Sequence, residues 1–332
     1  FTVISGGEPF LWRDGNYGIM DMFERHHQDY HLMFTNSILL TEDVARRMAE
    51  LANITPSISV EGFEKETDAR RGKGTYRRIL KAMEHLRKHG VPFGISVTPT
   101  KHNWDLLTSD EFFEYFFLQE GALYGWMFQY MPIGRGPSLE LMVSPEERLE
   151  MLKRMQRLVW ERKFLLVDFW NSGTATGGCI SAGRREGYFY IDWNGNVTPC
   201  VFVPYAAANI YKIYEQGGDL NTIMNTPFFK RIREWQRQYG YEQPPEKLDN
   251  WLCPCVVRDH FEFLQECAAK YDLTPINEQA AEAIKDPEYC QGMIKYGQEY
   301  KKLTDPMWQD IFRGEGGMVY EQPKSLKKSQ AA

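Results

Sequence analysis

The sequence predicts an α/β protein: consecutive βα units around a parallel sheet, then a smaller α+β module. Three observations predict it. Apolar, strand-like runs alternate with helix-like stretches through the first half of the 332-residue chain. Polar or glycine-containing clusters close run after run. All six cysteines (Cys179, Cys200, Cys253, Cys255, Cys267 and Cys290) lie beyond residue 178, where the texture of the sequence changes.

Strands are expected at residues 1–5, 31–35, 56–60, 91–98, 124–131 and 164–169. Helices fit between them. Residues 42–51 follow a capping Thr41. Residues 76–89 are amphipathic and stop at Gly90. Residues 109–119 enter through Ser109. Ser144-Pro-Glu-Glu starts a long helix to about residue 163, with Pro145 at the first helical position. Each βα unit takes roughly 25 to 40 residues, and periodicity leaves open whether the sheet closes into a barrel. Beyond Asn171, a glycine-rich stretch at 172–178 leads into an aromatic run ending at Cys200. Asn194-Gly195 within that run is a hairpin signal. Further helices are expected at 226–239, 258–271, 278–284 and 287–303. The basic run Lys324-Ser-Leu-Lys-Lys328 reads as a frayed tail.

The net charge of −6 argues against a broad nucleic-acid surface, which needs clustered Lys and Arg. No apolar stretch reaches the length of a membrane span, and no signal-peptide pattern is present. Cysteines confined to one half fit a local metal site in a reducing, cytoplasmic setting better than a disulfide framework.

The strand ends carry the candidate chemistry. In Ser5-Gly6-Gly7-Glu8-Pro9 the glycines let backbone approach a ligand closely. Glu8 offers a carboxylate to an ammonium group, and Pro9 stiffens the exit. Thr35-Asn36 closes the next strand. Ser59-Val-Glu61-Gly62 closes the third, followed by Arg70, Arg71 and Gly74. Thr98 to Asn103 closes the fourth, and Met131-Pro-Ile-Gly134-Arg-Gly136 the fifth. Parallel βα architectures place ligands at such ends, although βα loops are polar in any case. His26, His27 and His31 read as a polar helix end rather than a metal site. Phe112-Phe113-Glu-Tyr115-Phe116-Phe117 reads as a helix core face. Asp192 and Asp259 are acid or base candidates that nothing places.

This ordered set (Gly-Gly-Glu-Pro, Thr-Asn, Ser-x-Glu-Gly, Arg-Gly-x-Gly-x-Tyr, Thr-x-x-x-x-Asn) resembles the radical SAM superfamily over residues 1–140. The resemblance implies a partial (β/α)6, TIM-like barrel over 1–165. It implies that Gly6, Gly7 and Glu8, with Pro9 and Asn36 beside them, hold the methionine end of S-adenosylmethionine (SAM). Ser59 and Glu61 would lie near the ribose or methionine, Arg71 near the carboxylate and Met131 along the adenine. The family's Cys-x-x-x-Cys-x-x-Cys triplet is absent. Its expected place is upstream of Phe1, so these residues alone are not expected to cleave SAM. A degenerate, non-catalytic homologue is the alternative.

Cys179, fifteen residues, then Gly195-Asn-Val-Thr-Pro-Cys200 resembles the SPASM or twitch auxiliary-cluster domain. The hairpin would return Cys200 towards Cys179, and clusters need convergent thiolates. The resemblance implies one auxiliary [4Fe–4S] cluster on Cys179, Cys200, Cys253 and Cys255 in a module spanning 166–303, with 304–332 as a tail. Cys267 is an alternative to Cys253, and Cys290 reads as a packed side chain. Four thiolates also suit zinc, which would make the module a zinc-stabilised interaction domain. The implied activity is hydrogen abstraction by a 5'-deoxyadenosyl radical. Its substrate would be a peptide, a small molecule or something lipid-like, and its electron would come from a reductase with flavodoxin or ferredoxin. No catalytic side chain is assigned from sequence.

Overall fold

The computed structural model describes residues 1–312, so the basic run at 324–328 lies outside the described residues. The chain divides into two contact units. The first comprises Phe1–Ser172 with Ile191–Asn196 and Asn277–Glu282; the second comprises Gly173–Tyr190, Val197–Ile276 and the residues from Ala283 on.

The first unit is built on a six-stranded sheet: β1 (Thr2–Ile4), β2 (His31–Thr35), β3 (Ile54–Ser59), β4 (Gly94–Val97), β5 (Tyr124–Met127) and β6 (Leu166–Asp168), paired in chain order. All five pairings are parallel. With helices between its strands, this is a partial (β/α) barrel. Strand β2 matches its expected run, β3 starts two residues earlier than expected, and the other four are shorter than the runs that announce them. At β5 the reason is visible. Tyr130 N donates to Pro99 O, but Pro99 has no N–H to return, and the ladder ends.

Four helices lie among the early strands: α1 (Ile19–Arg25), α2 (Glu42–Leu51), α3 (Glu64–Arg71) and α4 (Thr75–Lys88); α2 and α4 were expected from sequence, α1 and α3 were not. Thr41 caps α2 by accepting from Val44 N. The Asp68 carboxylate starts α4, accepting from Gly74 N at 2.6 Å and Tyr76 N at 2.9 Å. Helix α5 (Pro145–Trp160) opens with a reciprocal Ser144–Glu147 box. The stretch 109–119 differs from expectation. It is one α turn, Asp110–Phe113, running into a π turn, Glu114–Gln119.

Burial alternates along β5. Gly125 and Met127 are buried, while Tyr124 and Trp126 are half-buried. Met33, Ile58, Ile95 and Met127 join Ile79, Met83, Phe116, Met151 and Leu158 in one core between sheet and helices. Elsewhere Phe34, Trp126, Phe128 and Phe169 form a half-buried aromatic array. Trp126 and Phe128 stack at 5.9 Å, and Phe34 meets Phe128 edge-on at 5.3 Å. His31, expected in a polar helix end, is instead a core residue at the start of β2. It packs on Phe23 at 4.8 Å, and burial lowers its pKa.

The predicted hairpin forms between Tyr190–Ile191 and Asn196–Thr198. Gly195 takes the left-handed conformation (φ 77°). The Asp192 carboxylate ties the turn by accepting from the backbone of Asn194 and Asn196. Asp192 is therefore a turn former, not a free acid.

The second unit contains α6 (Pro227–Gln238), α7 (Phe261–Lys270) and α8 (Pro287–Met307). Helix α7 starts three residues later than expected. Asp259 N and His260 N both donate to Cys255 O in a tight turn before it. Helix α8 continues past residue 303 into a π turn, Trp308–Phe312. The buried Thr304 hydroxyl bonds back to Tyr300 O and receives Asn250 Nδ2 at 2.9 Å, which holds the last turn. Among the described residues no helix is long and apolar enough to cross a membrane.

Candidate functional site

In the first unit, the expected ligand-binding residues sit at the carboxyl ends of the strands. Gly6 adopts φ 121°, and a side chain on Gly7 would meet nothing within 4 Å, so this turn presents open backbone. Glu8 is anchored to the end of β2. Its carboxylate accepts from the Thr35 hydroxyl at 2.7 Å, Asn36 N at 2.8 Å and Phe10 N at 3.3 Å. An ionised carboxylate accepts about four hydrogen bonds, so one acceptor position remains for a ligand ammonium. Pro9 is buried and opens a 3-10 turn. Asn36 spends its side-chain oxygen on Ile38 N.

Ser59 at the end of β3 lies 3.3 Å from the Ser96 hydroxyl of β4. Glu61 is buried, and both its oxygens are held by guanidinium groups: Arg70 on one, Arg71 on the other. Asn103 reaches the Glu61 carbonyl at 3.4 Å. Glu61 thus fixes the loop after β3 against α3, and Arg71 is oriented by that pairing. Met131 is buried just beyond β5.

Sequence reasoning missed one cluster here. The Asp168 carboxylate, at the end of β6, accepts from Gln129 Nε2 at 2.7 Å, from Asn171 Nδ2 at 3.0 Å and from the backbone of Trp170 and Asn171. Buried Arg148 of α5 donates to Asn171 Oδ1 at 3.1 Å. Burial pushes the Asp168 pKa up, and the donors pull the other way. This network locks the ends of β5 and β6 together.

In the second unit, three thiols share one buried region. Cys200 and Cys255 both feel the charge of Cys179, and Cys255 also that of Cys200. Burial pushes the Cys200 thiol up to about 12 and raises Cys255 as well. Each sulfur has a neighbouring hydrogen-bond group. Ser181 Oγ lies 3.1 Å from Cys179, Tyr188 OH 2.8 Å from Cys200, and Arg258 N donates to Cys255 at 3.4 Å. Asp259 accepts from Cys255 N and so ties the Cys255 turn. The Cys179 loop is held from α6, where Gln236 Nε2 donates to the Cys179 and Ser181 carbonyls.

Cys253 is turned differently. Its thiol points to the Asn250 carbonyl at 3.6 Å and lies 3.5 Å from Tyr239 OH. Cys267 is buried on α7, and Cys290 donates to the Ile284 carbonyl at 3.4 Å. Among the described residues no three His, Cys, Asp or Glu side chains close around a single ion. Tetrahedral zinc would need four ligands about 2.0–2.3 Å from one atom.

Residues 1–112 match the model of the radical SAM superfamily, and residues 179–246 match that of an iron–sulfur cluster-binding domain. The chain belongs to the radical SAM superfamily. The curated relatives agree. Mycofactocin maturase MftC of Mycolicibacterium smegmatis is 28% identical over 247 residues, covering 71% of this chain and 61% of that protein. The AdoMet-dependent heme synthase of Methanosarcina barkeri is 30% identical over 238 residues, covering 63% of this chain and 64% of that protein. The chain therefore spans less than two thirds of these relatives. Two solved structures share the fold. Native anSMEcpe with bound AdoMet and Cp18Cys peptide aligns over 92% of this chain and 83% of its own (TM-score 0.57, 16% identity). Streptococcus suis SuiB aligns over 70% and 57% (TM-score 0.52, 15% identity).

Within this radical SAM chain, the hydrogen-bond donors around the thiols were not read from sequence. Ser181 had a usable signal, two residues after Cys179. Tyr188 had only its place in the aromatic run.

Proposed function

We propose that this chain is the SAM-holding and auxiliary-cluster part of a radical SAM enzyme that abstracts hydrogen from a peptide or small-molecule substrate. The observation that carries the proposal is the turn after β1, where Gly6 and Gly7 leave open backbone and Glu8 is anchored by Thr35 and Asn36. Glu8 would take the ligand ammonium and Ser59 the ribose. Arg71, held by Glu61, would sit towards the carboxylate, and Met131 would lie along the adenine. Gly6 and Pro9 set the path of the loop. The domains would divide as 1–165 and 166–303, with Cys179, Cys200, Cys255 and, on rotation of its side chain, Cys253 holding the cluster. Bound SAM supplies a 5'-deoxyadenosyl radical when reduced, with flavodoxin or ferredoxin as the class of electron donor. The half-buried Phe34–Trp126–Phe128–Phe169 array favours a substrate with a planar or apolar group over a strongly charged one.

Calorimetry with SAM tests the reading. The chain should bind SAM, and Glu8→Ala should weaken binding at least tenfold. The radical cluster's cysteine triplet is not in this sequence, so binding without SAM cleavage is expected. Undiminished binding by Glu8→Ala would overturn the assignment. Anaerobic reconstitution should give a broad absorbance near about 400 nm; a colourless zinc protein would favour the interaction-module reading.

A further inference from the structure

Arg184 is a buried cation with work left undone. Only 4% of it is exposed. One guanidinium nitrogen, Nη2, donates to the Thr176 carbonyl. Nε and Nη1 are buried and have no hydrogen-bond partner. The Tyr241 ring covers one face of the guanidinium at 3.9 Å. Tyr241 is itself pinned, its hydroxyl donating to the Arg185 carbonyl at 3.1 Å. A buried charge without a counter-ion costs several kcal/mol, so such a site is built for an anion.

Its place indicates which anion. Thr176, which takes the third donor, lies three residues before Cys179, and its hydroxyl bridges to Gly178 O at 2.8 Å. Arg184 is thus folded against the turn that delivers Cys179. The turn from Arg184 to Gly187 keeps it there: Gly187 N donates to the Arg184 carbonyl at 2.8 Å, and a side chain on Gly187 would meet Arg184 Cγ at 2.9 Å. Burial lowers the guanidinium's pKa, while Tyr241 and then Cys179 beside it pull the other way.

We propose that Arg184 is a positioning residue for the auxiliary cluster, aiming Nε–H and Nη1–H at its sulfur atoms and offsetting its negative charge. The proposal rests on the cluster reading of Cys179, Cys200 and Cys255. Cluster potential follows net charge and hydrogen bonds to sulfur, so the guanidinium favours the reduced state. Lysine keeps the charge but not the planar pair of donors, and methionine keeps neither.

The test uses the reconstituted chain with SAM absent. Iron and sulfide content, EPR-monitored redox titration and pulsed EPR with arginine ¹⁵N-labelled in the guanidinium alone are compared for wild type, Arg184→Lys and Arg184→Met. Equal iron loading is expected in all three. Arg184→Met should shift the reduction equilibrium at least tenfold towards the oxidised cluster, which is 59 mV lower for one electron, with Arg184→Lys between. The reduced wild-type cluster should show a ¹⁵N coupling that both variants lose. If Arg184→Met fails to load, the ¹⁵N coupling in wild type and the lysine variant's potential still decide. A loaded wild type with no ¹⁵N coupling and an unmoved potential in the variants overturns the Arg184 role while the cluster stands. A wild type that takes up no iron and sulfide overturns both.

Discussion

Gly94→Ala in β4 tests the packing that shapes the barrel wall. A Cβ built on Gly94 would lie 2.2, 2.3 and 2.6 Å from three Tyr124 ring atoms. Recovering an ordinary carbon–carbon separation of about 3.5 Å requires the ring to retreat by more than about 1 Å. The ring is not free to do so. Its hydroxyl lies 2.8 Å from Thr55 Oγ1 and donates to Pro56 O at 3.2 Å. Overpacking costs about 1–3 kcal/mol, and losing one of these hydrogen bonds adds about 1 kcal/mol. The sum, about 2–4 kcal/mol, lowers Tm by about 4–16 °C for a unit of this size. Urea unfolding followed by circular dichroism measures it. A double variant with Tyr124→Leu should lose less than the sum of the two single losses, by about 1–3 kcal/mol, because the second change removes the obstacle. A Gly94→Ala protein within about 0.5 kcal/mol of wild type, or strict additivity with Tyr124→Leu, would refute the argument.

Three further outcomes follow from the same contacts. Asp68 is held below the usual carboxylate range, first by the Tyr76 backbone N–H and then by that of Gly74. Its depressed folded pKa contributes stability above the unfolded value of 3.8, and that contribution is lost as pH falls through the folded pKa. Asp68→Asn should therefore flatten the acid limb of a Tm-against-pH curve, and an unchanged limb counts against this cap. Replacing Arg70 and Arg71 together by Met strands the Glu61 carboxylate in a buried site and should cost about 3–5 kcal/mol. Either single change should cost less than half of that, and equal single and double losses in chemical denaturation would contradict shared pairing. Tyr188→Phe removes the hydroxyl 2.8 Å from the Cys200 sulfur; with iron content constant, the auxiliary-cluster potential should fall, and an unmoved potential argues against a Tyr188–sulfur bond.

The sheet and its order were legible from local signals, because its strands are announced by apolar runs and several of the helices between them by a cap or a stop residue close by in the chain. Gly90 and Ser144 did their expected work. What was not legible depends on distant partners. Gln129 falls inside the expected strand 124–131 with no local mark of its role; only Asp168, 39 residues on, makes it part of a network. Nothing local marks Arg184 as buried, and it is Tyr241 and the Cys179 turn that cover it. Asp192 looked like a candidate acid because its local role, tying the hairpin, competes with catalysis in any sequence reading.

The Cys253-Pro-Cys255 pair shows where counting cysteines gives way to backbone geometry. Spacing makes the two residues equivalent. The turn that brings Cys253 N onto Asn250 O also directs its thiol back to that carbonyl. Asp259 meanwhile grips the backbone of Cys255, which shares its surroundings with Cys179 and Cys200. For Cys253 to join a cluster, its buried side chain would have to leave the Asn250 carbonyl and the Tyr239 hydroxyl, giving up weak thiol hydrogen bonds. For Cys267 to join, a buried face of α7 would have to leave its packing. Breaking a thiol–carbonyl contact costs far less than unpacking Phe261, Phe263, Leu264 and Cys267 together. Cys253 is therefore the cheaper fourth ligand. Replacing it by Ser should alter the EPR signal of the reconstituted cluster, whereas Cys267→Ser should leave it unchanged; the reverse outcome would move the fourth ligand onto α7.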